Sequence, residues 1–221
     1  MNNGHVVHLA AFIERLARDV KPEPRTASHT GITRVMFSQL CGPTGVFDLP
    51  SRARVLDVGC GQGPALELFQ ACDFDATGIG IGAEDLAECR RKGFSVLEMD
   101  QSFLDFSDAT FDLVWARHIL EHSIAPYWTL SEFRRVMKPN GVLYAEVPAP
   151  GPPFHHEQNP NHYSVLPRAS WEELIQRAGF KISNQVDINL GVQAYQDLYW
   201  GFIGRAESLI DRARPPSQEQ S

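Results

Sequence analysis

The chain has 221 residues, 43% of them hydrophobic and 21% charged, which suits one domain with a sizeable core and a small appendage rather than two full domains. No apolar run approaches the roughly 20 residues that cross a bilayer, and the opening "MNNGHVVHLAAFIERLARDV" lacks the charged and apolar regions of a secretory signal. A cytoplasmic protein with no membrane partner is therefore expected, and a formal net charge of −7 disfavours a nucleic-acid backbone as partner and leaves a small molecule as the better fit.

At the start, "HVVHLAAFIERLARDV" places Val6, Leu9, Phe12, Ile13 and Leu16 on one face of an amphipathic helix. Residues 1–50 read as a helical extension that packs on the core or lies over a site. From Val55 onward short apolar runs alternate with amphipathic stretches, the pattern of βαβ units around a parallel sheet. Strands are expected at 54–58, 75–81, 94–98, 112–116 and 142–148, with helices at 64–71, 83–92, 126–137 and 169–178. Cys41, Cys60, Cys72 and Cys89, scattered along this stretch, show neither CxxC pairing nor metal-type spacing, so free thiols are expected.

The punctuation agrees with these elements. Pro64 sits where a first helical turn tolerates a missing N–H. Arg134, Arg135 and Lys138 in "RRVMKP" read as a solvated helix end. Asn140-Gly141 supplies a turn into "VLYAEVP", Ser170 with Glu173 makes a capping-box start, and Gly179 closes the same helix. Between the last two helices, residues 148–167 carry six prolines and no period, and so long a loop in a compact domain is usually functional. Residues 51–205 form the expected main domain and 206–221 a solvated tail.

"RVLDVGCGQGP" (54–64) carries the chemistry. It is a buried strand running into Gly59, Gly61 and Gly63 and then into a helix. Glycines let the backbone turn tightly and approach a ligand, while the helix start offers N–H groups. A dinucleotide site wants Gly or Ala where Pro64 stands, which counts against a nicotinamide-dependent reductase.

The spacing of Asp57, Gly59, Gly61 and Gly63 resembles motif I of the class I S-adenosylmethionine-dependent methyltransferases. The resemblance extends over about residues 53–184, through "EMDQSFLDFSDATFDLVWARHILEHS" and "EFRRVMKPNGVLYAEVP" in the family's order. It implies an α/β, Rossmann-like, doubly wound, mostly parallel seven-stranded sheet with helices on both faces, strands six and seven falling near 180–188 and 198–204. It also implies S-adenosylmethionine as cofactor, held by Asp57, Gly59, Cys60, Gly61, Gly63, Gly80, Ile81, Asp100, Gln101, Ala116 and Arg117, with Ile79 beside Ile81 at the adenine.

One position departs from the family. Strand two usually ends in an acid that accepts hydrogen bonds from both ribose hydroxyls, and Gly80 stands there; Glu84 and Asp85 a few residues on are either acids favoured in a first helical turn or the source of one substitute that bends back. The resemblance implies methyl transfer to oxygen or nitrogen of a small-molecule acceptor. The alternative is a non-catalytic ligand- or partner-binding module whose cofactor site Gly80 has weakened.

In such sheets the cleft lies beyond the carboxyl ends of the strands, so Ala116, Arg117, His118, Glu121 and His122 should face it. His118, His122 and His162 are the catalytic candidates, as acceptors of a proton. His155, His156 and Tyr163 of the proline-rich loop are the candidates for binding the acceptor. The uneven spacing of His155, His156, Glu157 and His162 argues against a metal, and none is expected.

Overall fold

A computed structural model of the protein describes residues 8, 11, 12, 15, 27–42, 45–190 and 197–207. Val6, Leu9, Ile13 and Leu16, which define the expected N-terminal amphipathic face, lie outside the described residues. The described chain begins in earnest with a helix that the sequence reading did not place, α1 (Ala27–Leu40). Its β-branched residues and Gly31 make it a poor helix by propensity. Packing of Met36, Phe37 and Leu40 on the core stabilises it instead.

Seven strands follow: β1 (Arg54–Val58), β2 (Asp75–Gly80), β3 (Ser95–Glu98), β4 (Phe111–Arg117), β5 (Met137–Pro148), β6 (Phe180–Leu190) and β7 (Asp197–Ala206). Their spatial order is β3-β2-β1-β4-β5-β7-β6. All neighbouring pairs up to β4–β5 are parallel, whereas β7 runs antiparallel to both β5 and β6. The order reverses at β1, whose neighbours are β2 on one side and β4 on the other, and in open α/β sheets the ligand crevice lies beyond the carboxyl ends of the strands at such a switch point.

The helices α2 (Pro64–Ala71), α3 (Ala83–Arg91), α4 (Pro126–Val136) and α5 (Arg168–Arg177) are the connections. Side-chain alternation sorts the strands' residues onto two faces. Leu56, Val58, Val114, Ala116, Leu143 and Val147 meet Leu130 and Phe133 of α4 and Trp171 and Ile175 of α5. Val55, Leu113, Trp115, Val142 and Tyr144 meet Phe37 of α1 and Phe69 of α2. With both faces covered, the inner strands are apolar almost throughout. Among the described residues no helix is long and apolar enough to cross a membrane.

Four local expectations need correction. α5 begins at Arg168, directly after Pro167, so Ser170 is an interior residue of the first turn and Glu173 pairs with Arg177 at 2.6 Å; the capping box does not form. Chain direction fixed by Pro167 starts the helix before Ser170 can cap it. Asn140-Gly141 is not a turn before a strand, because β5 already begins at Met137, and Asn140, at φ 63°, lies in an irregularity between the Phe111–Met137 and Leu113–Val142 pairs. The "RRVMKP" end is not simply solvated: Arg135 reaches the carbonyl oxygens of Leu104 and Phe106 and the carboxylates of Glu132 and Asp108. Ile79 is fully buried in the core and offers no side chain to a ligand.

Candidate active site

β1 delivers Asp57 and the glycine turn to the crevice. The N–H groups of Gly59 and Cys60 both donate to the carbonyl of Ile79, at 2.9 and 3.0 Å, which ties the turn to the end of β2. Gly59 has φ 71°, and a Cβ there would stand 2.8 Å from Ile119 Cδ1; at Gly63, φ 83°, it would meet the Phe94 ring at 2.7 Å. The left-handed conformation favours glycine at both, and at Gly63 the Phe94 ring leaves no room for a Cβ as well. Pro64 occupies the first position of α2, as expected from its missing N–H.

Asp57 is 4% exposed, and its Oδ2 has no hydrogen-bond partner among the described residues. Burial pushes its pKa up to about 7, an effect that the Arg117 charge partly opposes. A buried carboxylate with an unsatisfied oxygen is costly unless a cation or donor completes it. Gln101 repeats the pattern: Nε2 donates to the Ile119 carbonyl at 2.8 Å, while the buried Oε1 has no partner among the described residues. Asp100 accepts from the N–H of Ser102 at 2.7 Å, shaping the loop after β3.

At the end of β2, a Cβ on Gly80 would meet only Leu86 Cδ2, at 3.8 Å, and the backbone there is not in the left-handed region, so nothing steric demands glycine. Asp85 Oδ1 accepts from Gln62 Nε2 of the glycine turn at 3.2 Å. This places a carboxylate from the start of α3 against the same turn. Ile81 is an exposed large apolar side chain beside it. Ala116 is fully buried, so its side chain cannot contact a ligand.

β4 and β5 build a different kind of site. Arg117 grips Glu146 with two bonds, Nε to Oε2 and Nη2 to Oε1, each 2.7 Å, and its Nη1 reaches Thr33 of α1. Tyr144 Oη donates to Glu146 Oε2 at 2.8 Å, and His118 Nε2 lies 2.6 Å from Glu146 Oε1. Glu146 has no solvent exposure. Burial alone would raise its pKa, yet the guanidinium fork and His118 hold it well below the usual carboxylate range. Arg117, expected at the cofactor, thus spends its guanidinium on Glu146 and Thr33 and touches Asp57 only through its field.

His118 sits at φ 51°, its N–H bonded to the Glu146 carbonyl at 2.9 Å and its ring 4.3 Å from that of Tyr199. A left-handed non-glycine residue that is held at both ends is pre-oriented by its surroundings. Tyr199 Oη donates to Asp197 Oδ2 at 2.9 Å, and His156 Nε2 lies 2.7 Å from Asp197 Oδ1. His156 and Tyr199 thus share Asp197, with ring centroids 5.3 Å apart. His155 points outward to Glu157 at 3.0 Å, and Tyr163 is exposed. His122 and His162 come together, ring centroids 4.9 Å apart, despite 40 positions of separation.

Sequence reasoning missed Glu146, Thr33, Asp197 and Tyr199. A signal existed for Glu146 alone, as one acid inside the apolar strand "VLYAEVP" must be paired if it is buried.

A family model described as a methyltransferase domain matches residues 7–185. A 27-O-demethylrifamycin SV methyltransferase of Amycolatopsis mediterranei is 34% identical over 117 residues, 46% of this chain and 43% of that protein. A probable S-adenosylmethionine-dependent methyltransferase of Mycolicibacterium smegmatis is 26% identical over 75% of this chain and 67% of its own length. Alignments with the rifamycin enzyme and with a malonyl-[acyl-carrier protein] O-methyltransferase of Enterobacter lignolyticus span less than half of those relatives, 43% and 39%. Among solved structures, the [4+2]-cyclase SpnF shares the fold with a TM-score of 0.65 at 21% identity, over 80% of this chain and 81% of that one.

Proposed function

The chain belongs to the class I S-adenosylmethionine-dependent methyltransferase family, and from that premise we propose that it transfers the methyl group of S-adenosylmethionine to an oxygen or nitrogen of a small molecule. The observation that carries this reading is the Asp57 Oδ2, buried and without a partner among the described residues, at the mouth of a glycine turn. A donor with an ammonium at one end satisfies that oxygen. Gln101, Asp100, Ile81 and the room above Gly80 fit the nucleoside end, and Asp85 stands nearest to supply the missing acid.

Bound there, S-adenosylmethionine supplies a methyl group already activated by a sulfonium. What remains for the protein is alignment, which in favourable systems contributes about 7–11 kcal/mol. Glu146 and the Tyr199 ring fix His118 at the rim of the cleft, where it orients an acceptor O–H or N–H and takes its proton. The acidic chain and relatives whose names carry small-molecule O-methylation support a small acceptor.

Calorimetry with S-adenosylmethionine and S-adenosylhomocysteine tests the first half of this reading: micromolar binding is expected, and no heat at millimolar ligand overturns it. Release of S-adenosylhomocysteine over a panel of hydroxylated and amino small molecules tests the second. Gly80 motivates one other reading, a non-catalytic ligand- or partner-binding module with a weakened cofactor site, which predicts no heat at millimolar donor and no S-adenosylhomocysteine release with any acceptor.

A further inference from the structure

We propose that Glu121, His122 and His162 form a binding site for a divalent transition metal, Zn2+ foremost, with an open position facing the acceptor cleft. The inference rests on reading the loop after β5 as the acceptor side. One ligand atom from each of the three residues lies within 4.8 Å of the others. Glu121 and His122 sit in a single helical turn just beyond the carboxyl end of β4, and His162 comes from the proline-rich loop.

The chain is built to hold these three together. The carbonyl of Glu121 accepts two main-chain bonds from that loop, from Tyr163 N–H at 2.8 Å and Ser164 N–H at 3.0 Å, and Ser164 Oγ donates to the Ser123 carbonyl at 2.7 Å. His162 is thereby pinned over His122 by long-range bonds that involve neither imidazole.

Both imidazoles have the tautomer that a metal needs. His122 Nδ1 lies 3.0 Å from the carbonyl of Asn161, and His162 Nδ1 lies 2.9 Å from the carbonyl of His156. A carbonyl only accepts, so each Nδ1 carries the proton and each neutral ring has its lone pair on Nε2. At His162 that lone pair accepts from Asn159 Nδ2 at 3.2 Å, a long bond that a metal ion replaces. Asn159 is itself oriented, because its Oδ1 accepts from the Asn161 N–H at 3.0 Å. Ligand histidines anchored through Nδ1 to carbonyl oxygens are the usual second layer of a metal site.

Two imidazoles and one carboxylate suit Zn2+ and its neighbours and not Mg2+, which prefers oxygen ligands and keeps its waters. Metal–ligand bonds of about 2.0–2.2 Å put tetrahedral ligand atoms roughly 3.3 Å apart, so the cluster contracts by about 1.5 Å at most on binding. Three protein ligands leave the fourth position open, as in catalytic rather than structural zinc sites. A run of neighbouring rings links the site to His118: His162 to His156 at 5.7 Å, His156 to Tyr199 at 5.3 Å and Tyr199 to His118 at 4.3 Å between centroids. The ligand class for the open position is a hydroxyl or carboxylate oxygen of the acceptor.

The test uses the tag-free full chain with neither methyl donor nor acceptor present, so that its outcome is separate from that of the proposed reaction. After dialysis against Zn2+ and then buffer, elemental analysis should find one ion per chain, and Co2+ should give visible absorption bands of a site with fewer than six ligands. His162→Gln and Glu121→Gln should each weaken Zn2+ binding at least about tenfold, and His155→Gln, outside the cluster, should leave it unchanged. Circular dichroism checks the fold, and if Glu121→Gln unfolds, the loop variant His162→Gln decides. No stoichiometric Zn2+ in the wild type, or equal affinity in His162→Gln, overturns the proposal. Metal binding without methyl transfer would instead overturn the proposed reaction and leave the metal site standing.

Discussion

Asp57 and Glu146 lie on the two strands that flank β4, both are buried, and they have opposite surroundings. Glu146 receives two bonds from Arg117, one from Tyr144 and the contact with His118. Asp57 receives only the field of the same arginine. The first is held well below the usual carboxylate range, and the second is pushed up to about 7. The difference separates two uses of a buried charge: satisfied within the chain, it fixes geometry, and left unsatisfied, it reserves its energy for a ligand.

The largest expected effect breaks the satisfied side. Glu146→Gln keeps the shape but strands the Arg117 guanidinium without its counter-charge, and breaking such a pair costs about 3–5 kcal/mol. Urea denaturation should show a midpoint lowered accordingly, with His118 released from its contact. An unchanged midpoint would mean that the network adds nothing to the fold.

Asp57→Asn should do the reverse. It removes a buried acid that lacks a full set of partners, so stability should stay the same or rise. A charge-assisted bond is worth about 1.5–3 kcal/mol, which corresponds to roughly ten- to a hundredfold weaker binding of S-adenosylmethionine. Calorimetry beside a denaturation curve reads both. Loss of stability with unchanged affinity would exchange the roles of the two carboxylates.

pH sharpens the same contrast. Asp57's native pKa of about 7 lies above its unfolded value of 3.8, so the folded state holds a proton that the unfolded chain has released between about pH 4 and pH 7. Its contribution to stability therefore falls as pH rises through that window, while affinity for a donor's ammonium rises as the carboxylate ionises. Glu146 has the opposite sign: its contribution is fully present above its ordinary 4.5 and is lost as pH falls towards its depressed native value. S-adenosylmethionine affinity measured at about pH 6 and about pH 8 should rise in the wild type and change less in Asp57→Asn.

The glycine turn beside Asp57 was the more legible of the two because it is local in sequence. Strand, glycines and Pro64 follow one another within eleven residues, and each glycine answers a backbone demand that can be written beside it. The network around Glu146 is assembled from Thr33, Arg117, His118 and Tyr144, which only the tertiary fold brings together. No spacing rule reaches across such separations. α1 escaped notice for a related reason: "ASHTGITRVMFSQL" has weak helical propensity, and its stability comes from tertiary contacts of Met36, Phe37 and Leu40. The pairing of His122 with His162 was equally hidden, since the loop's prolines give no period from which to place a ring.

The smallest expected effect lies at Gly80, where the family resemblance leads one to expect an acid. At Gly80 a Cβ is accommodated, with Leu86 Cδ2 at 3.8 Å as its nearest neighbour, and the backbone asks for no glycine. Gly80→Asp should therefore fold normally and add an acceptor for the ribose hydroxyls. A net hydrogen bond of about 0.5–1.5 kcal/mol corresponds to a two- to tenfold gain in S-adenosylmethionine affinity. Asp85, held by Gln62 against the glycine turn, decides how large the gain is. If Asp85 already serves the ribose, Asp85→Asn should weaken binding in the wild type and matter less once Gly80→Asp is present, an interaction that a double-mutant cycle measures directly. Additive effects would mean that the two carboxylates act on different parts of the ligand, and an affinity that falls in Gly80→Asp would move the ribose away from β2 altogether.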